Sequence, residues 1–227
     1  MTTHAPIHIL DICCGHAYRH PLVLRNSAER FYPRKIVYVG IDKLAPNQVH
    51  FVKTAAPENL LRETYIPATL ELENERGTQE FFSRFENESF DEIHFHMPGR
   101  MHVPTHLALL NRLAKLLKKK GRLYHTFQTM ESPLLNFSLD SLGAVKKEDH
   151  PKVYLKNQER IKTAAQNVKL TLERYGTRST ENPTWMTRPD ENEIKNDYKQ
   201  TKIQEALKNH SFWAGGFGLH FMIFRKP

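Results

Sequence analysis

Cysteine is nearly missing from this chain of 227 residues: there are two, Cys13 and Cys14, and they are neighbours. Adjacent cysteines are poorly placed to bridge each other, so no disulfide framework is available and a reducing, cytoplasmic compartment is expected. Also missing is any run of the roughly 18 consecutive apolar residues that a membrane span needs, and the first residues lack the charged-then-apolar order of a secretory signal. A soluble protein with no membrane partner is therefore expected. There is no internal repeat. The first loop has no G-x-G-x-x-G, which argues against a nicotinamide-dependent oxidoreductase.

What is present fits one α/β domain with an elaboration. Hydrophobic content is 39% and mean hydropathy is -0.59, yet the apolar residues are clustered rather than diluted, which argues against disorder. A net charge of +8 and a pI near 9.4 favour a polyanionic partner such as RNA, although surface lysines also serve solubility.

The most informative stretch runs from Ile7 to Tyr18. An apolar, β-branched run leads into Asp11, a small-residue turn at Gly15 and a polar loop, which predicts a buried strand delivering a loop to a ligand. Open parallel sheets bind ligands outside the carboxyl ends of their strands, so this loop is the first candidate for touching a cofactor. Further strands are predicted over Ile36 to Asp42, Tyr65 to Leu70 (with Pro67 inside it, suggesting an edge), Phe90 to Pro98 and Arg122 to Gln128. Helices are predicted between them over Pro21 to Phe31, Pro46 to Ala55, Thr78 to Phe85 and Leu107 to Lys120, the last terminated by Gly121. Such alternation demands right-handed crossovers and a parallel sheet with helices on both faces. Beyond Pro133 the spacing predicts a helix over Gln158 to Val168, a strand near Lys169 to Arg174, a polar loop from Gly176 to Asn192 and a polar helix from Glu193 to Asn209. A glycine turn then leads into a last buried strand.

Several side chains carry candidate chemistry. Asp42, ending the second strand, can accept two hydrogen bonds from a diol, or it can cap a helix starting at Leu44. His96, ending the fourth strand, is the candidate catalytic residue where a hydroxyl or amine must lose a proton; the alternative is a histidine packed at the sheet end. The thirteen histidines include the close pairs His16/His20, His94/His96 and His102/His106. No acid or second cysteine pair is interleaved with them in a ligand pattern, so no metal is expected. Lys115, Lys118, Lys119, Lys120 and Arg122 lie where a helix end meets a strand start, which suits the helix dipole better than nucleic acid. Lys146, Lys147, Lys152, Lys156, Arg160 and Lys162, with Tyr154 among them, follow the fifth strand and would rise over the site edge. That pattern suits a phosphate backbone and a stacked base, or equally a solvated helix face.

The order of these motifs, from Ile7 to Gln128 with the final strand Leu219 to Phe224, resembles the class I S-adenosylmethionine-dependent methyltransferases. The resemblance implies an α/β, doubly wound, mostly parallel seven-stranded sheet as a single domain over 1–227. A polar elaboration at about 131–210 would lie over the C-terminal edge. It implies S-adenosylmethionine as cofactor, with Asp11, Cys13, Gly15, His16 and Ala17 under its methionine end. Asp42, with Lys43 beside it, would hold the ribose hydroxyls, and Thr69 and Leu70 would border the adenine. His96 would stand at the edge shared with the acceptor. The family's first loop usually carries two or three glycines, whereas here only Gly15 is present, with Ala17 small enough for close approach. Within the family the tRNA (guanine-N7-)-methyltransferases look most similar. Their motif positions read here His96-Met97-Pro98-Gly99-Arg100, Thr126-Phe127-Gln128 and Thr201-Lys202-Ile203-Gln204. This implies a substrate set of Pro98, Arg100, Gln128, Tyr154, Thr201 and Gln204, but every acidic position of the family pattern is lost. An amide reads a different hydrogen-bond pattern from a carboxylate, so the architecture carries over more firmly than the base. The expected acceptor is RNA, with a small-molecule acceptor, or a binding module without turnover, as the alternatives. The oligomeric state is left open.

Overall fold

The structure, a computed structural model, describes residues 4–12, 20–42, 57–68, 75–96, 106–127, 131–132, 137–138, 147–177 and 220–227. The strands are β1 (Ile7–Ile12), β2 (Ile36–Asp42), β3 (Leu60–Pro67), β4 (Phe90–His96), β5 (Leu117–Phe127), the two-residue strands β6 (Glu131–Ser132) and β7 (Phe137–Ser138), β8 (Thr171–Thr177) and β9 (His220–Arg225). The helices are α1 (His20–Phe31), α2 (Glu75–Phe82), α3 (His106–Leu116) and α4 (His150–Asn167). Seven strands form one sheet in the order β3-β2-β1-β4-β5-β9-β8, while β6 and β7 pair only with each other. From β3 to β5 every pairing is parallel; β9 runs antiparallel to both β5 and β8. This is the expected doubly wound, mostly parallel sheet. Among the described residues no helix is long and apolar enough to cross a membrane.

The register shows how one sequence fills two cores. Ile9 lies beside Tyr38 and Glu92, and Leu10 beside Val39 and Ile93, so alternate rows face opposite sides. Ile7, Ile9, Ile36 and Tyr38 pack with Val23, Leu24 and Ala28 of α1. Leu10, Ile12, Ile93, Phe95, Leu123 and Phe224 form the larger core on the other face. Phe81 and Phe82 of α2, Leu110 and Leu113 of α3, and Ile161 and Ala165 of α4 close it. Strands covered on both faces read as nearly continuous apolar runs, which is why β1 and β2 were plain in the sequence.

Several boundaries differ from expectation, among them β8, which runs over Thr171–Thr177 rather than Lys169 to Arg174 and so takes in Gly176, where the polar loop was expected to begin. β3 begins at Leu60 rather than Tyr65, because buried Asn59 anchors its start: its amide donates to Ala28 O and Arg34 O, both at 3.0 Å, while Ile36 N–H donates to Asn59 O at 2.8 Å. Leu61, Arg62 and Glu63 are exposed on this edge strand, so their sequence looks like loop, and Pro67 falls at the strand's last residue rather than inside it. Helix α2 starts and stops three residues early, with Phe85 still packed against the core. Helix α3 ends at Leu116, not Lys120, because Leu117 already pairs with Phe90 in the sheet. Gly121 therefore sits within β5 and caps nothing. A Cβ there would lie 2.9 Å from Lys118 O and 3.0 Å from Asp91 O, a close backbone approach that only glycine permits. Helix α4 extends eight residues further toward the N-terminus than predicted, with Pro151 in its first turn. The segments 43–56 and 178–219, where a helix, a loop and a second helix are expected, lie outside the described residues.

Candidate functional site

Strand register brings part of the predicted site together. Ile41, Ile12, Phe95 and His125 form one row across β2, β1, β4 and β5, and the next row toward the carboxyl ends contains Asp42, His96 and Thr126. Asp11 lies two rows behind Asp42 and His96, beside Gly40 on one side and His94 on the other. Asp42 and His96 thus stand at the carboxyl ends of β2 and β4, where open α/β sheets take their ligands, with Asp11 enclosed beneath them on β1, the strand between. Asp42 is half-buried, and its main-chain oxygen accepts the Ala68 N–H at 2.8 Å and the Tyr65 hydroxyl at 3.3 Å, which ties the ends of β2 and β3 together. His96 is the final residue of β4, as the sequence predicts.

Cys13, Gly15, His16, Ala17, Lys43, Thr69, Leu70, Pro98, Arg100, Gln128, Thr201 and Gln204 lie outside the described residues. Tyr154 lies in the first half of α4. Because β8 runs parallel to β5 and follows α4 directly, this half of the helix lies toward the same sheet edge as Asp42 and His96. Of the cations nominated on α4, Lys152 pairs with Asp149 at 3.0 Å and Lys162 with Glu159 at 3.7 Å, in each case within the helix region itself. At the opposite sheet edge, Lys118 pairs with Asp91 at 2.7 Å and Arg122 with Glu173 at 2.7 Å.

Sequence reading missed a buried polar array under the site, on the α1 face. Asp11 is wholly enclosed, and its Oδ2 accepts the hydroxyl of equally buried Tyr38 at 2.6 Å. Two residues behind His94, the carboxylate of Glu92 accepts from Arg30 at 2.6 Å, from the Tyr124 hydroxyl at 3.2 Å and from Ser27 at 3.5 Å. Arg30 also donates to the Tyr124 oxygen at 2.6 Å. The His94 ring stacks on Tyr124 with centroids 4.6 Å apart, and its Nε2 lies 3.4 Å from Glu92. Burial, reinforced by the Glu92 carboxylate, holds the Tyr124 phenol well above its ordinary pKa; Arg30 and Arg122 pull it the other way. A signal was available: Glu92 and His94 alternate with apolar Ile93 and Phe95 in a central strand, where both faces are covered and polar side chains must find partners.

No protein-family model matches the chain, and no curated protein is significantly similar to it in sequence. Solved structures are similar in fold. One is a protein from Galdieria sulphuraria proposed as a sarcosine dimethylglycine methyltransferase, with a TM-score of 0.50 and 15% identity over 99% of this chain and 80% of that one. The (4+2)-cyclase SpnF gives a TM-score of 0.50 and 14% identity over 98% and 76%. An S-adenosylmethionine-dependent methyltransferase from Mesorhizobium loti gives 0.47 and 13% over 100% and 94%. At these identities the likeness is one of architecture: the chain shares the Rossmann-like α/β fold of these structures.

Proposed function

We propose that this protein is an S-adenosylmethionine-dependent methyltransferase and that its acceptor is RNA. The observation that carries the reading is that Asp42 and His96 end β2 and β4 in one row, on either side of β1 with its enclosed Asp11, in a sheet with the antiparallel β9 between β5 and β8. The residues fit the cofactor in chemistry: a half-buried carboxylate stands at the end of β2, where a ribose diol needs two acceptors.

When bound, the cofactor supplies an electrophilic methyl group on a sulfonium. The chain's own part is to bind, orient and move protons. Asp42 and Lys43 would hold the ribose end, Thr69 and Leu70 would border the adenine, and Asp11, Cys13, Gly15, His16 and Ala17 would serve the methionine end. Proximity and orientation of the acceptor would supply most of the rate, and a ring nitrogen would need no base. Where the acceptor is a hydroxyl or amine, His96 takes its proton. On this reading Pro98, Arg100, Gln128, Thr201, Gln204 and Tyr154 would serve the acceptor.

The net charge of +8 supports RNA over a neutral metabolite. The similar structures do not single out the tRNA (guanine-N7-)-methyltransferases, and the acids that would read guanine in that family are absent here, so the base is not assigned. Incubation with methyl-labelled cofactor and total cellular RNA tests the reading, with a metabolite extract as the parallel arm. Label in RNA that is abolished by Asp42→Ala supports it. Label only among metabolites moves the acceptor to a small molecule, and cofactor binding without label in either arm leaves a binding module.

A further inference from the structure

We propose that Tyr38 is a positioning residue of the cofactor site, acting through Asp11; this rests on the cofactor reading above. Tyr38 lies on β2 beside Ile9, one pleat behind Asp11 on the same face. Aromatic side chains reach such diagonal neighbours across a sheet. Gly40, side by side with Asp11 in the register, puts no side chain between them. The hydroxyl thus meets Asp11 Oδ2 at 2.6 Å, and both residues have 0% exposure. A short bond between two enclosed side chains fixes direction as well as distance. Asp11 is the penultimate residue of β1, the strand that lies between β2 with Asp42 at its end and β4 with His96 at its end, so the bond fixes an acid directly beneath the strand ends that the cofactor reading uses. Preorganisation of this kind lowers the ordering cost of binding. Two β-strands are thereby coupled: β2 carries Asp42 at its end and steers Asp11 from its middle.

The test is a double-mutant cycle read by calorimetric titration with S-adenosylhomocysteine, using Tyr38→Phe, Asp11→Asn and the double variant. Tyr38→Phe is expected to weaken binding about tenfold, the scale of one hydrogen bond to a charged group. The double variant is expected to bind no more weakly than Asp11→Asn alone, since both remove one interaction. The KM for the methyl donor should rise with kcat within about twofold. Tyr124→Phe is the matched control: it removes another buried hydroxyl on the same face, and should lower thermal stability while leaving affinity unchanged. If the Asp11 variants do not fold, the contrast between Tyr38→Phe and Tyr124→Phe decides. Additive losses in the cycle, equal effects of the two tyrosine variants, or unaltered binding by Tyr38→Phe would overturn the assignment while leaving the cofactor reading intact. Wild-type protein that binds no S-adenosylhomocysteine at millimolar concentration overturns both.

Discussion

Glu92 is 2% exposed, and its burial is tolerable because Arg30, Tyr124 and Ser27 all donate toward its carboxylate. Arg30→Met strands that charge in the α1 face of the sheet, and a loss of about 3 kcal/mol is expected in urea unfolding. By contrast Glu173, shared at the surface by Arg122 at 2.7 Å and Arg225 at 3.5 Å, should cost under about 1 kcal/mol when changed to alanine. Equal losses at the two sites would contradict this account of burial. Tyr124 adds a pH dependence. Its phenol is held protonated in the fold by burial and by Glu92, whereas in the unfolded chain it titrates near the ordinary value of about 10. The folded state therefore binds more protons above that pH. The contribution is complete below pH about 10 and is lost as pH rises beyond it. Melting temperatures of wild type and Tyr124→Phe between pH 8.5 and about 11 should converge on the alkaline side; parallel curves would contradict the assignment.

Elements differ in how plainly the sequence announces them. β1 and β2 were legible because β-branched runs covered on both faces have few other readings. The end of α3 was not. Leu-Leu-Lys-Lys-Lys-Gly reads as a helix closing on glycine, yet pairing of Leu117 with Phe90 and of Lys118 with Asp91 pulls the chain into the sheet first. Local propensity lost to tertiary pairing there. Lys120, at φ 66°, takes the left-handed conformation instead, and Gly121 meets the backbone of β4. Gly121→Ala should cost about 1–3 kcal/mol, since the atoms in the way are carbonyls that cannot swing aside. A neutral result in urea unfolding would show that β4 and β5 can part without penalty. The candidate site was legible to the same degree as its strands: Asp42 and His96 end strands, as the sequence placed them, whereas Tyr38, Glu92 and Tyr124 act across strands. The alternation of Glu92 with Ile93 announces a buried polar group, but its partners depend on register between strands, which the sequence of one strand does not give.

At the scale of the whole molecule, fold and activity are separate statements. Two structures equally similar in architecture are described as a methyltransferase and as a cyclase, so the chemistry has to be argued from the strand ends. The charge of +8 makes one prediction independent of the acceptor atom. Binding to a mixed RNA pool should weaken steeply as salt rises from about 50 to 200 mM, because affinity from phosphate contacts is counterion release. Flat salt dependence would argue for an acceptor without a phosphate backbone. The most direct measurement is titration of the intact protein with S-adenosylhomocysteine, alongside Asp42→Ala. The account predicts micromolar binding that falls at least about a hundredfold in the variant, because two hydrogen bonds from a diol to a carboxylate are lost. Wild-type protein giving no heat at millimolar ligand, or Asp42→Ala binding as tightly as wild type, would contradict it.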